Sequence, residues 1–460
     1  MHTTRTKTVI HGAYGSSAEV NKLSSLFVAA PEGEDDNKMN FSLFRQRSFA
    51  LLIFSEATSL FGTYFLNAAL ALYVLKLTGS PEKFASILAL GMVPYLIVGP
   101  IAGVLADRFN KKKWMILLDS LRGMLCISLF VFSLTETINL PFIYFTVLFI
   151  STCEICYGPV FISLLPGIIK EEELVSANSF EKTINETMKI LAPLLGTLVY
   201  SLVGIGPVLL VNGFTFMISA LAIFFMIIPK VESVIARQIH LFKDMWAGFK
   251  VFFIDKRITS IVSNAFLTHF FMYPFILLGF PYIIVTVLGG KGTDYGIVES
   301  ISTIGSILAI FTVPPMKKFG VANNIGIGIL GMCVPVIPLL FLGNPDFIQL
   351  LKDNEYYPVV FFGLISFLLF LAFSFYLVFF ASFYQTVVPR ELFGRYGAGM
   401  MVLNGLGRLF GFLIFGYLFS LDSLLYAVIF FGIGMTLKIV VHIPFMSITK
   451  KLEQQQKQVV

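Results

Sequence analysis

The chain has 460 residues, of which 57% are apolar and only 13% are charged. A soluble globular protein carries about 25% charged residues, so these charges are too few to cover a water-facing surface. The 50 phenylalanines and the mean hydropathy of +0.84 point the same way, because a bilayer accepts apolar side chains on the outside of a protein. The composition therefore predicts an all-α membrane protein.

The net charge of +6 does not indicate a nucleic-acid partner, because no basic soluble module with interleaved aromatic residues carries it. All four cysteines lie in apolar stretches, which argues against a disulfide framework or a zinc site. Cys153 and Cys156 have C-x-x-C spacing, but without a second pair or a nearby histidine a small-residue helix face is the preferred interpretation. We expect no metal and no cofactor.

Residues 1–44 are polar and lack the apolar stretch of a signal peptide, which predicts a cytoplasmic N-terminal tail. Twelve apolar runs follow, each long enough to cross about 30 Å of hydrocarbon. Six belong to a predicted bundle at 45–229 and six to a second bundle at 258–446. The runs lie near 48–75, 84–106, 114–134, 140–165, 178–204, 206–229, 258–288, 293–315, 324–343, 356–387, 393–420 and 423–446.

Residues 230–257 separate the two sets of runs and are basic, with aromatic residues at helical spacing. This pattern predicts an amphipathic linker on the membrane surface. Loop lysines and arginines accumulate on the cytoplasmic side, and only four fall on the side opposite the linker: Lys76, Lys83, Lys291 and Lys352. We therefore expect both termini, including the tail 447–460, to be cytoplasmic in a multi-pass protein of the cell membrane.

The two sets of runs have the features of a duplication. Pro166 follows the fourth run and Pro389 the tenth, each with at least one acidic residue close behind. A cation stands inside the next run of each half, at Lys189 and at Arg408. Parallel repeats of this kind occur in transporters whose substrate site lies between the halves near the midplane.

The loop after the second run carries a motif. It reads Gly103-Val104-Leu105-Ala106-Asp107-Arg108-Phe109-Asn110-Lys111-Lys112. This resembles the loop signature of the major facilitator superfamily at every defined position except Asn110, where the family prefers glycine. Asparagine is, after glycine, the residue that most readily adopts left-handed backbone geometry. The resemblance implies the major facilitator fold, with twelve transmembrane helices in two six-helix bundles.

Each motif residue has a physical reason to be present. Gly103 allows a neighbouring helix to approach closely, and Asp107 can place negative charge at the N-terminus of another helix. Arg108, Lys111 and Lys112 can hold the loop at an anionic inner leaflet. The resemblance implies that Asp107 latches the two halves at the cytoplasmic face. The alternative is that these are ordinary loop charges that follow the cation bias.

Two further patterns concern the direction of transport. Thr78-Gly79-Ser80, Met92-Val93-Pro94 and residues 115–122 resemble the branch that contains macrolide efflux proteins and enterobactin exporters. Pro193 and Gly196 match part of the antiporter signature of drug exporters, whereas its first and last glycines are replaced. The resemblance favours efflux by antiport without fixing it.

Ionisable residues at bilayer depth are expensive and are functional candidates. Glu56 lies about 14 Å into the first run and shares one helix face with Leu60, Thr63 and Asn67. The resemblance implies that the first, fourth, seventh and tenth helices line the central cavity. We expect Glu56 to bind protons or substrate, and Asn67 is a further candidate on the same face; the alternative for Glu56 is a hydrogen bond between helices.

Three more candidates lie in the fourth, seventh and eleventh runs. Glu154 is near the middle of the fourth run with Tyr157 nearby, and a protonated carboxyl bonded to a backbone carbonyl is the alternative. His269 precedes Tyr273 by four residues, and a packed histidine is the alternative role. Arg408 cannot lose its proton, so it needs a carboxylate or carbonyl partner.

Other polar and aromatic residues in the runs have simpler interpretations. The i, i+3 spacing indicates local ion pairs for Asp119 with Arg122 and for Glu186 with Lys189. Lys438 and Glu299 are expected to reach toward the span ends. The tenth run offers a candidate aromatic cavity wall, for which packing is the alternative: Tyr376, Phe380, Phe383 and Tyr384.

The sequence thus favours a monomeric, proton-coupled exporter of an amphipathic small molecule that also contacts membrane lipids. The alternative within transporters is nutrient uptake by symport. An enzyme is disfavoured, because no H-E-x-x-H, G-x-S-x-G or phosphate-binding loop is present.

Overall fold

The computed structural model is helical in every regular element that it describes, which confirms the prediction of an all-α protein. Ten helices among the described residues are long and apolar enough to cross a membrane. The described residues are 41–99, 101–102, 110–135, 138–170, 173–227, 249–388 and 393–459. The motif residues Gly103, Asp107 and Arg108, and most of the predicted linker, lie outside these ranges.

The first half follows a short 3-10 helix, Phe41–Arg45. Its helices are α1 (Arg47–Thr78), α2 (Pro81–Leu90), α3 (Val93–Ile97), α4 (Lys111–Ser133), α5 (Leu140–Ile168), α6 (Leu174–Val203) and α7 (Ile205–Phe225). Local chemistry sets the turn between α1 and α2: Gly79 has φ 60°, and the Ser80 side chain accepts a hydrogen bond from the backbone N–H of Lys83. The structure thus forms a tight helical hairpin there.

The second half begins with α8 (Lys256–Leu267), and three π-helical segments, Thr268–Met272, Phe275–Gly279 and Tyr282–Val287, continue it. Two prolines, Pro274 and Pro281, lie between these segments and cannot donate backbone hydrogen bonds. Its other helices are α9 (Gly292–Met316), α10 (Val321–Cys333), α11 (Val336–Leu339), α12 (Pro345–Lys352), α13 (Tyr356–Val387), α14 (Phe393–Ser420) and α15 (Leu425–Val459).

Two predicted spans are not among the ten long apolar helices. The run at 84–106 is divided into α2 and α3, with a break at Gly91 and Met92 just before Pro94. The run at 293–315 corresponds to α9, which is helical over its whole length. At the other end of the chain, α15 continues as a helix beyond residue 446 to Val459.

The outer surface of the helices is apolar, as the composition requires. Large hydrophobic side chains are exposed on several helices, among them Phe224, Phe311 and Val360, with exposures of 60%, 72% and 66%. A lipid environment accepts such side chains, whereas water does not. The exposed side chains therefore support the lipid-facing surface that the amino-acid composition predicts.

The two halves contact each other through α2 with α14 and through α6 with α9. These helices approach closely because glycines occupy the contacts at the predicted outer end. A Cβ atom on Gly416 would overlap that of Ala85, and one on Gly292 would overlap the hydroxyl of Ser201. The halves are thus joined at the end opposite the predicted linker.

Candidate functional site

Glu56 is buried inside the first half, with 4% of its surface exposed. Leu60 and Thr63 on the same helix face are also buried. The Oε2 atom of Glu56 has no hydrogen-bond partner in the described part of the chain, and neither does Oδ1 of Asn67. Glu56 is therefore a buried carboxyl that forms no ion pair with any described residue, a costly arrangement when it is charged.

Asp119 and Arg122 form the predicted i, i+3 ion pair, and both side chains are enclosed. The pair lies on α4 and also bonds to α1 and α7, which the i, i+3 spacing could not reveal. Ser219 on α7 donates to Asp119 at 2.6 Å, and the Arg122 guanidinium donates to Ser59 on α1 at 2.8 Å. A network of charged and hydroxyl groups therefore lies beside Glu56, whose charged neighbours include Asp119 and Arg122.

Tyr157 and Glu154 on α5 extend this network toward the second half. The Tyr157 hydroxyl lies 3.5 Å from that of Ser55, one residue before Glu56. The Glu154 carboxyl shares a hydrogen bond with Tyr95 on α3. Tyr95 was not selected as a candidate from the sequence. Its position directly after Pro94, near the break in the second span, could have indicated it.

Arg408, His269 and Tyr273 form a cluster in the second half. Nε of Arg408 donates to Nδ1 of His269 at 2.9 Å. The guanidinium lies 4.3 Å from the ring centre of Tyr273, and the rings of His269 and Tyr273 are parallel at 4.8 Å. His269 belongs to a π-helical segment, a distortion often found at functional sites. Three of the predicted residues are thus in contact.

The aromatic residues of α13 form a continuous row. Tyr376 contacts Phe380 with ring centres 5.5 Å apart, and Phe380 contacts Tyr384 at 6.0 Å. Tyr384 then stacks on Tyr396 of α14. Tyr376 is 2% exposed, so packing explains its end of the row, whereas Phe380 and Tyr384 are only partly buried.

The prediction that Lys438 reaches toward a span end is wrong, because the residue is fully buried. Its ammonium donates to Oγ1 of Thr268 at 2.6 Å and lies 4.9 Å from the ring centre of Tyr376. Glu299 likewise keeps a carboxyl oxygen buried and without a partner among the described residues. Neighbouring helices enclose both side chains, which sequence depth alone did not indicate.

The described part of the predicted gating loop begins at Asn110. Its side chain accepts a hydrogen bond from the backbone N–H of Lys113 and so caps α4. Lys112 donates to the backbone carbonyl of Met226 at 2.6 Å, which ties the start of α4 to the end of α7. Lys111 also lies in the first turn of α4.

The structure connects the candidate residues of the two halves through Tyr95 and Lys189. Tyr95 interacts electrostatically with both Glu154 and Arg408. Lys189 acts on Glu154 in the first half and on His269 in the second. Among the described residues no group of histidine, cysteine and carboxylate side chains is suited to hold a metal ion. Tyr95 and Lys189 therefore act on candidate residues of both halves.

Helices long and apolar enough to cross a membrane, with ionisable residues buried among them, define a polytopic membrane protein. A profile of the Major Facilitator Superfamily matches residues 52–412. The chain belongs to this family, which points to a transporter rather than an enzyme.

Among its relatives, Macrolide efflux protein A of Streptococcus pyogenes is 24% identical over 250 residues, which are 53% of this chain and 60% of that protein. The MFS-type transporter YkuC of Bacillus subtilis (strain 168), described as uncharacterized, is 30% identical over 190 residues, 41% of this chain and 44% of that protein. Each match covers less than two thirds of the relative's length.

Solved structures share the fold. A bacterial homologue of the iron transporter ferroportin in an inward-facing state has a TM-score of 0.63 at 16% identity, covering 88% of this chain and 99% of that one. The nucleoside transporter NupG has a TM-score of 0.61 at 16% identity, covering 88% and 99%. These similarities show that the chain shares the fold of these solved structures.

Proposed function

We propose that this transporter exports an amphipathic small molecule across the cell membrane by alternating access, with protons as the coupling ion and both termini in the cytoplasm. The observation that carries the proposal is the buried carboxyl of Glu56, which has no ion-pair partner among the described residues and adjoins a hydrogen-bonded network. A carboxyl in such a place can hold a proton in one conformation and release it in another.

Two further observations support this proposal. Relatives named as macrolide efflux proteins match about half of the chain, which favours export over uptake. Contacts between the halves at Gly416 and Gly292 keep their predicted outer ends together, so opening of the outer side requires these contacts to separate. Rocking of one bundle against the other is how such folds alternate access.

The direct test measures the accumulation of a chemically diverse compound panel in cells with and without the protein. The proposal expects lower accumulation of some amphipathic compounds in cells that make the protein. Collapse of the proton gradient should abolish the difference. Increased accumulation would instead indicate uptake by symport, and an unchanged difference after collapse would exclude proton coupling.

A further inference from the structure

Arg408 lies deep within the membrane-spanning part of α14. It is fifteen residues after Phe393 and twelve before Ser420, which places it about 18 Å from the nearer helix end. A permanent positive charge at this depth is costly unless a negative group accompanies it. Arginine cannot relieve the cost by losing its proton.

The contacts of Arg408 do not supply a negative charge. Nδ1 of His269 accepts the hydrogen bond from Nε of Arg408, which requires an unprotonated Nδ1. Tyr273 offers only its ring face. Within the described ranges Arg408 belongs to no ion pair. The terminal guanidinium nitrogens therefore remain available to an external acceptor.

The residues opposite Arg408 do not remove this imbalance. Tyr95 lies near both Arg408 and Glu154 and shares its hydrogen bond with Glu154. The cations that act on Glu154 are Arg122 and Lys189. Besides Arg408, both Lys438 and Lys189 bring positive charge to the neighbourhood of His269. Cations from both halves thus converge near the interface beside the His269 ring.

We propose that the transported molecule carries an anionic group, a carboxylate or a phosphate, and that Arg408 binds this group. The inference rests on the proposed export function and narrows its substrate class. A guanidinium presents two parallel N–H donors that match such an anion. His269 and Tyr273 hold the guanidinium plane in place, so its two N–H donors have a fixed orientation when the anion binds. The bound anion then supplies the negative charge that Arg408 lacks.

The test uses a panel of amphipathic compounds, each supplied as a carboxylic acid, its primary amide and the corresponding amine. Export is measured as reduced accumulation in cells with the wild-type protein, Arg408→Gln, Arg408→Lys or Lys83→Gln at matched membrane levels. Lys83→Gln is the control, because it also removes one cation but from an exposed position near the predicted outer end.

We expect the acids to be exported at least about tenfold better than the amides, the preference that a charge-assisted hydrogen bond supplies. Arg408→Gln should abolish export of the acids, Arg408→Lys should retain part of it, and Lys83→Gln should retain all of it. Equal export of amides or amines, or full export by Arg408→Gln, would overturn the inference and leave the export function standing. Export of no compound would contradict both.

Discussion

The carboxylate of Asp119 and the guanidinium of Arg122 form an ion pair with side-chain exposures of 0% and 1%. Hydroxyl groups from two other helices complete it: Ser219 donates to Asp119, and Thr63 accepts from Arg122 at 3.2 Å. The pair therefore ties α1, α4 and α7 together within the first half.

Removal of one partner should destabilise the protein strongly. Arg122→Met leaves the Asp119 carboxylate buried and unpaired, and such losses cost about 3–5 kcal/mol. The double variant Asp119→Leu with Arg122→Met removes both charges and should recover much of this stability. Thermal unfolding of the purified protein measures the effect.

The control for this experiment is the pair of Arg257 with Asp255, which is partly exposed. Arg257→Met should cost less than about 1 kcal/mol, as expected for pairs near water. If Arg122→Met were no more destabilising than Arg257→Met, the enclosed pair would not stabilise the first half.

Opening of the outer contacts should respond to Gly416. In Gly416→Ala the new Cβ overlaps Ala85 on the other half, so the separated state becomes more populated. Thr197 is buried near Gly296, where α6 of the first half contacts α9 of the second. A cysteine in its place therefore reports on this opening. In a background without the native cysteines, an impermeant maleimide should label this cysteine severalfold faster in Gly416→Ala than in the protein that keeps Gly416.

Gly397→Ala is the matched control, because no heavy atom lies within 4 Å of its Cβ position. It should leave the labelling rate at the level of the unsubstituted protein. Equal rates in Gly416→Ala and Gly397→Ala would show that the glycine contact does not hold the outer ends together.

A lower pH should also separate the halves at their predicted outer end, through protonation of Glu82. Slight burial acts to raise the pKa of Glu82, but hydrogen bonds from Ser80 and from Ser420 of the other half lower it below the ordinary value. The closed state therefore binds fewer protons at Glu82 and loses this stabilisation as the pH falls through the lowered pKa. Thr197→Cys labelling, normalised to the exposed Tyr356→Cys, should rise on acidification, and Glu82→Gln should flatten the rise. An unchanged acid response in Glu82→Gln would contradict the role of Glu82.

Much of the fold was predictable because local patterns determine it. Apolar runs located the helices, and i, i+3 spacing identified Asp119 with Arg122. The break between α2 and α3 was missed, although Pro94 stood in the predicted run. The burial of Lys438 was not predicted, because the apolar run shows only where a residue lies along its own helix. Thr268 and Tyr376, which enclose Lys438, belong to other helices.

The candidate site was predictable residue by residue but not as an arrangement. The sequence selected Glu56, Glu154, His269 and Arg408 as costly charges at bilayer depth. It could not show that Arg408 contacts His269 or that Tyr95 interacts with both Arg408 and Glu154, because these interactions join helices far apart in the chain. The Asp107 latch stays a prediction, since residues 103–109 lie outside the described ranges.

Glu56 is the residue that we propose to couple proton movement to transport. A glutamine at position 56 preserves shape and hydrogen bonding but cannot bind and release a proton. Glu56→Gln should therefore still bind substrate and exchange it across the membrane without energy input. Glu154→Gln should act in the same way, although Tyr95 already bonds the Glu154 carboxyl. Glu355→Gln is the control, because Glu355 is 66% exposed near the predicted outer end.

The most direct measurement is uphill efflux in proteoliposomes under an imposed pH gradient, with a compound that the cells export. We expect full uphill transport by the wild-type protein and by Glu355→Gln. Glu56→Gln and the double variant Glu56→Gln with Glu154→Gln should exchange substrate without uphill transport. Full uphill efflux by the double variant would show that neither carboxyl carries the coupling proton.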